Sequence, residues 1–375
     1  MSAALPEFVE RLIIDGTRVG WHKERIAAWE RGEKIAPVTI DCAMTRACQY
    51  ACHFCYAQLQ ANESEGKISK QNFLDFLSDA AEIGVKGVSF ISDGESTVVP
   101  WYADAVEHAA SVGLKVGAGS NGHKLTKPVL ERVLPHLSYL RFNFSAGEKK
   151  RYAEIMGVPQ SYYDDVVQNI RDAMEIVNRD GLAVTVNMQL VLDPKDGDQI
   201  LPFARLVADL APTYGVLKHC ADDAFGTLGV DYSKYAALKA DLEEAEAIGK
   251  RAGVRISAKW DKINSEGKRP YTRCLGSAFI MQVSGSGLVA NCGFHFNERF
   301  KKFHMGSIVT QRFKDIWASD RYDEIMKYLG SDQFNPQDSC GALCLQDSVN
   351  KFLYEYQEKR IELPLTPAPP HIEFV

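Results

Sequence analysis

The sequence predicts an α/β fold: a parallel sheet built from βα units, followed by a smaller α+β module. Three observations carry that expectation. Short apolar runs alternate with segments of helical spacing through most of the chain. Near residue 254 the alternation gives way to a β-hairpin pattern and a few helices. The nine cysteines form an early group and a late group, with Cys220 alone between them.

Residues 7–33 read as helical, with Phe8, Leu12 and Ile13 on one side and charges opposite. A first strand follows at 36–41. Buried strands are expected at 86–91, 115–119, 137–144, 183–191 and 214–219. Helical spacing fills 70–83, 101–112, 127–135, 161–179 and 198–210, with a last helix at 232–252. Thr126 ahead of Pro128 suits a helix start, and Gly181 and Gly253 suit helix stops. Strands spaced by helices demand crossover connections and hence a parallel sheet. The alternation gives about six such units, short of a closed eightfold barrel. An open, partial barrel and a doubly wound sheet both remain. Beyond 254, one more strand fits 254–258. Residues 277–292 read as a hairpin turning at Ser284–Gly287. Residues 312–329 read as one helix, with Ile316, Trp317, Tyr322 and Ile325 on its apolar side, and 346–360 as another. The Pro-rich end reads as an extended tail. The expected divisions are an N-terminal helical extension (1–35), the βα domain (36–253), the C-terminal module (254–360) and the tail (361–375).

A chain of 375 residues, 46% hydrophobic and 25% charged, is globular and long enough to bury a full core. Its net charge of −6, from 43 basic and 49 acidic side chains, argues against nucleic acid or an anionic membrane as partner. The N-terminus lacks the basic start and apolar run of a signal peptide. No run approaches the ~18 apolar residues of a membrane span. The expected address is the cytoplasm, where clustered cysteines mean metal or catalysis more often than disulfides.

The loop after the first strand reads Cys48-Gln-Tyr-Ala-Cys52-His-Phe-Cys55. A loop can wrap three close thiolates around one centre, and soft thiolates favour zinc or an iron–sulfur cluster. Structural zinc wants a fourth ligand, for which Cys42 and His53 are at hand. Three ligands on a four-iron cluster leave one iron open. Free thiols are the remaining alternative.

Cys-x3-Cys-x2-Cys, with Phe54 before its last cysteine and a strand ahead of it, resembles the signature of the radical S-adenosylmethionine (SAM) superfamily. The resemblance implies a partial (β/α)6 barrel. It implies that Cys48, Cys52 and Cys55 hold a [4Fe-4S] cluster whose open iron binds the amino and carboxylate groups of SAM. One electron then cleaves SAM, and the 5′-deoxyadenosyl radical removes a hydrogen atom from an unactivated carbon. A reductant such as flavodoxin or ferredoxin is implied as well. Ser92-Asp93-Gly94-Glu95-Ser96-Thr97 stands where the family carries a Gly-Gly-Glu-Pro-Thr-like turn that holds the SAM amino group. Asp93 replaces the first Gly and Ser96 the Pro. Ser120-Asn121-Gly122 resembles the family loop near the SAM carboxylate and ribose. Asn143 and Ser145 end the fourth strand, where a polar side chain commonly bonds the ribose. Asn187 and Gln189 alternate on the fifth strand and share one face.

Cys274-x12-Gly287-x4-Cys292 on the expected hairpin resembles the opening of SPASM and twitch domains, C-terminal modules that hold auxiliary iron–sulfur clusters. Residues 304–308, 315–317 and 321–322 resemble their linking segment, and Cys340 and Cys344 close the set. Four cysteines imply a shortened, twitch-like module with one second [4Fe-4S] cluster. A four-cysteine zinc site satisfies the same count.

The sixth strand ends Lys218-His219-Cys220. At the C-terminal strand ends of a barrel these residues face the active site. A thiol there can return a hydrogen atom to a substrate radical, and the structural alternative is a small buried hydrophobe. Lys218 and His219 can bind or deprotonate a substrate group. Lys259 and Trp260 are further pocket candidates. The family resemblance and the short segment before residue 36 point to a polar small molecule: a sugar, aminosugar or nucleotide derivative. Its fate is dehydrogenation, epimerisation, dehydration or decarboxylation. The alternatives are maturation of a ribosomally made peptide and, in another class, a zinc-bound scaffold.

Overall fold

Apolar runs become strands where helices can cover one side of them, and here they build one ten-stranded sheet. The computed structural model describes residues 7–60, 66–265, 268–341 and 344–375; residues 1–6 of the N-terminal extension and the side chain of Phe8 lie outside the described residues. β1 (Thr39–Cys42), β2 (Gly87–Phe90), β3 (Lys115–Ser120), β4 (Leu137–Asn143), β5 (Thr185–Leu192), β6 (Tyr214–His219) and β7 (Arg255–Ala258) follow in order, each parallel to the last. β8 (Ile280–Val283) returns to pair parallel with β1. β9 (Leu288–Ala290) and β10 (His304–Ser307) extend that edge antiparallel. The parallel run therefore continues into β7, and the hairpin of the C-terminal module is hydrogen-bonded to the barrel sheet.

Strand alternation gives the sheet two unlike faces. Val88, Phe90, Val116, Leu140, Phe142 and Met188 face the helices and join one core. The helix Ser161–Asp180 meets them with Val166, Ile170, Ala173 and Ile176, three or four residues apart. The inner face is polar: Asp41 pairs with Ser89, Arg141 with Asn187, and Asn143 with Gln189. β3 makes room for it. A Cβ on Gly117 would lie 2.2 Å from Tyr139 Cε1, and one on Gly119 would lie 3.3 Å from Arg141 Nη2. The large inward side chains of β4 lean across those two positions.

The structure departs from expectation at three segments. Residues 312–329 form two helices, Phe313–Ala318 and Asp320–Leu329, because Ser319 is extended and its hydroxyl caps the second by accepting from Tyr322 N at 3.2 Å. The N-terminal extension is likewise divided into Glu7–Leu12, a 3-10 turn Gly16–Trp21 and Lys23–Glu30, with Asp15 accepting from Thr17 N at 2.8 Å. The C-terminal tail is packed down. Phe374 is 2% exposed, with its ring centroid 4.9 Å from that of Tyr139. Thr39 Oγ1 donates to Glu373 O at 2.7 Å, and His371 Nε2 lies 2.8 Å from Thr185 Oγ1. The tail thus covers the N-terminal ends of β1, β4 and β5. No described helix is long and apolar enough to cross a membrane.

Phe374→Ala should remove a filled contact beneath the sheet at a cost of about 3 kcal/mol. Thermal unfolding should show a midpoint lowered by several degrees; a midpoint equal to the parent's would mean the tail does not support the barrel.

Candidate active site

The chain leaves β1 at Cys42, passes Thr45–Arg46 and then delivers Cys48, Cys52 and Cys55. The Thr45–Arg46 backbone runs between two glycines. A Cβ on Gly94 would stand 2.1 Å from Thr45 O, and one on Gly285 would stand 2.1 Å from Thr45 C. Gly94, at φ 82, is also left-handed. Its neighbour Asp93 is buried. One carboxylate oxygen accepts from Ser284 Oγ and the other from Gly285 N, both at 2.7 Å, and Arg46 Nε lies 3.4 Å away. The side chain of Asp93 therefore joins the turn after β2 to the tip of the β8–β9 hairpin.

Glu95 works beside it. Oε1 accepts from Thr97 N at 3.1 Å, Thr97 Oγ1 at 2.7 Å and Ser120 Oγ at 2.9 Å, while Oε2 accepts from Asn121 N at 2.8 Å. Burial raises its pKa and these donors oppose the shift. Asn121 Nδ2 reaches within 3.9 Å of Cys48 Sγ, and its Oδ1 accepts from Gln49 Nε2 at 3.2 Å. Asn143 Oδ1 accepts from Gln189 Nε2 at 3.2 Å, and Ser145 Oγ accepts from Val191 N at 3.1 Å. Asn187 Oδ1 is buried without a partner. Glu95, Ser120, Asn121 and Cys48 are thus brought together; Asn143 and Gln189 form a neighbouring pair, and the Ser145 hydroxyl stitches β4 to β5.

The early thiols suit a cationic centre. Burial raises the pKa of Cys48, Cys52 and Cys55; neighbouring thiols add to the shifts of Cys48 and Cys52, and Asp93 adds to that of Cys55. Such a set is deprotonated when iron supplies positive charge. Among the described residues, the one trio of His, Cys, Asp or Glu with all ligand atoms within 4.8 Å is His53, Asp193 and Asp196. Tetrahedral zinc with bonds of about 2.3 Å would draw its sulfurs to about 3.8 Å, so neither cysteine group has the spacing of a zinc site. The His53 trio is already neutralised: Lys195 lies 2.8 Å from Asp193 and Arg151 3.0 Å from Asp196. His53 Nε2 stands 2.8 Å from Asp196 Oδ2, close enough for an ion pair although poorly angled for a hydrogen bond.

The late thiols converge likewise. Cys274 Sγ lies 2.8 Å from Ser277 Oγ, and Asn350 Nδ2 lies 3.6 Å from Cys344 Sγ and 4.0 Å from Cys274 Sγ. Burial, then the Cys344 charge, pushes Cys274 up to about 11, and the same causes raise Cys292 and Cys340. The two centres share a wall. The Tyr56 and Phe294 ring centroids are 6.3 Å apart, and Gln60 Nε2 donates to Gly293 O at 3.0 Å. The chain after Cys55 thus packs on the chain after Cys292.

The end of β6 separates the three residues expected to act together. Lys218 faces the lumen, where burial and the charges of Lys262, Arg141 and Lys259 pull its pKa to about 7. His219 turns to the opposite face because neighbours on a strand alternate, and burial holds its pKa well below the usual value. Cys220 is buried, with Sγ 3.8 Å from Phe54 O and its pKa pushed up to about 12 by burial, Asp193 and Asp222. Trp260 donates Nε1 to Glu246 Oε1 at 3.0 Å and packs on the core. Sequence reasoning missed Arg141, on the inner face one pair below Asn143. Period-two alternation through the fourth strand was the signal for it.

The radical SAM superfamily profile matches residues 43–206, and the SPASM iron-sulfur cluster-binding domain matches residues 274–345. An S-adenosylmethionine-dependent nucleotide dehydratase from Flammeovirga pacifica is 24% identical over 149 residues, 37% of this chain and 51% of that protein. The chain therefore spans about half the length of that relative. A PqqA peptide cyclase from Methylocella silvestris is 25% identical over 289 residues, 76% of this chain and 74% of that protein. Streptococcus suis SuiB bound to S-adenosylmethionine superposes with a TM-score of 0.62 at 15% identity, over 82% of this chain and 72% of that one, a likeness of fold. With both domains in place, the chain is a radical SAM enzyme that takes S-adenosylmethionine, a SAM-binding [4Fe-4S] cluster and auxiliary iron–sulfur chemistry, and it belongs to the radical SAM superfamily with a C-terminal SPASM domain.

Proposed function

We propose that this enzyme removes a hydrogen atom from a carbon of a polar small molecule, a sugar, aminosugar or nucleotide derivative, in a biosynthetic pathway. The observation that carries the reading is the inner face of the barrel, where Arg141, Asn187, Gln189 and Lys218 stand in place of apolar side chains. Polar groups on rigid strands orient hydroxyls and charged groups of a small substrate. The nucleotide dehydratase relative supports the same class. The peptide cyclase relative, matched over more of the chain, supports a second reading: modification of a peptide.

In this reading Cys48, Cys52 and Cys55 hold the SAM-binding cluster, and Cys274, Cys292, Cys340 and Cys344 hold the auxiliary one. When bound, the first cluster supplies the electron that converts SAM to the hydrogen-abstracting radical. Glu95 fixes the turn after β2 against Ser120 and Asn121, so that the turn's carbonyls, those of Asp93 and Gly94 among them, stay where SAM docks. Asn143 and Gln189 hold each other beside the ribose position, with Ser145 and Asn187 flanking them. Phe54 closes the cysteine loop against Cys220. Cys220 remains a protonated thiol at neutral pH, the form that can donate a hydrogen atom. Lys218 contacts substrate and His219 supports the strand from behind. A flavodoxin or ferredoxin in the cytoplasm is the fitting reductant.

Replacing Cys48, Cys52 and Cys55 together by Ala should remove about half the iron and all SAM cleavage. Iron analysis and 5′-deoxyadenosine release measure both, and retained cleavage would reject the ligand assignment. For the substrate, anaerobically reconstituted enzyme with dithionite and SAM is offered deuterated pools of nucleoside phosphates and sugar nucleotides, or a deuterated peptide pool. Deuterium should appear in 5′-deoxyadenosine with the small molecules; transfer from the peptides alone overturns the reading. Cys220→Ala, assayed in deuterated solvent, should lose solvent label from the product. Unchanged turnover and unchanged label uptake would end the hydrogen-donor role.

A further inference from the structure

We propose that the barrel lumen grips an oxyanion of the substrate, a phosphate or a carboxylate, through Arg141, Lys218 and Lys259. The inference rests on the small-molecule reading and narrows it.

Three facts place the grip. The first is convergence. Arg141 lies on the inward face of β4 and Lys218 on that of β6, while Lys259 N bonds to Leu217 O beside it. All three side chains are partly buried and keep part of their surface within reach of water. Gly119 leaves the guanidinium its room.

The second fact is imbalance. The strands turn one carboxylate inward, that of Asp41, against these three cations, and Lys262 adds a fourth from the helix Trp260–Ile263. Lys259 Nζ donates to Ile14 O at 3.0 Å and Lys262 Nζ to Cys344 O at 3.1 Å, neutral acceptors in both cases. Arg141 and Lys218 make no hydrogen bond or ion pair with a described residue. Asp15 acts on Lys259 and Asp347 on Lys262, so the cations left without a paired anion are Arg141 and Lys218. An unpaired cation is costly to enclose, and an oxyanion relieves that cost.

The third fact is an unpartnered pair. Arg141 Nε, a donor, and Asn187 Oδ1, an acceptor, are both buried without a partner, although their residues are register neighbours on β4 and β5. A planar guanidinium with its donors unused matches the two oxygens of a carboxylate or phosphate. Burial first, and then the charges of Lys262, Arg141 and Lys259, draw Lys218 down to about 7, and an anion among these groups opposes that shift.

The test measures binding without turnover. Anaerobically reconstituted, SAM-loaded enzyme is titrated in a calorimeter with inorganic pyrophosphate in one series and succinate in another. Saturable binding of pyrophosphate alone assigns a phosphate-bearing substrate, and of succinate alone a carboxylate. Arg141→Met and Lys218→Met should each weaken that binding about tenfold or more, as expected for loss of a charged hydrogen bond. Both variants should keep the parent's iron content, and Lys150→Met, on the exposed surface, should not change the affinity. Failure of both anions to bind, or equal affinity in parent and variants at equal iron content, overturns the oxyanion grip. Intact anion binding with deuterium transfer from peptides alone would instead overturn the small-molecule reading and leave the grip standing.

Discussion

The passage of the Thr45–Arg46 backbone between Gly94 and Gly285 is the constraint on which the site depends. Three segments distant in sequence meet there: the approach to the cysteine loop, the turn after β2 and the tip of the β8–β9 hairpin. A Cβ on either glycine would enter the Thr45 backbone at 2.1 Å. Asp93 then fastens the junction. Hydrogen bonds to a buried carboxylate are worth about 2 kcal/mol each, and parting the hairpin from the turn would leave that charge enclosed without Ser284 and Gly285. Because β8 also pairs with β1, the strand that leads to the cysteines, the auxiliary module cannot shift without moving the SAM loop. The two cofactor sites are one mechanical unit.

This junction also explains a departure from the family pattern. Where related turns carry glycine, this chain carries Asp93, whose carboxylate bonds Ser284 and Gly285 at the hairpin tip of the second module. The resemblance supplied the turn and its glutamate. It could not supply the new partner, because Asp93 and Ser284 are far apart in sequence and meet only when β8 closes on β1. The strands of the barrel were legible because each apolar run is followed by its own covering helix, a local signal. The division at Ser319 was not, because the apolar positions keep their helical spacing across a residue whose hydroxyl prefers to cap. The tail was misread for a related reason: its Pro-rich composition describes its backbone, while its place is decided by Phe374 under Tyr139 and by Thr39 on Glu373. Arg141 was hidden in plain view. Alternation fixes its face, but only the glycines of β3, two positions on a neighbouring strand, make that face a space.

Lys218 and His219 show how far adjacency in sequence can mislead. Both end β6 and both are enclosed, yet one meets the lumen and the other the helix layer. Only the first can reach a substrate without the strand unpairing. Cys220, just beyond them, turns to the cysteine loop instead, where its sulfur meets the Phe54 carbonyl.

One sheet therefore carries two opposed electrostatic tasks. At its C-terminal edge, burial lifts the pKa of thiols, so those thiols take their charged form only against a positive centre. A few residues deeper, burial and crowding lower the pKa of the Lys218 and Lys259 amines, so a negative partner favours their charged form. In the proposed reading the iron of the cluster meets the first demand and a substrate oxyanion the second. A substrate gripped as proposed would be held with its anionic end away from the cluster, and the carbon it presents to the radical would lie between two regions of opposite preference. Orientation then follows from where the strands place their cations, before any contact specific to the rest of the molecule is made.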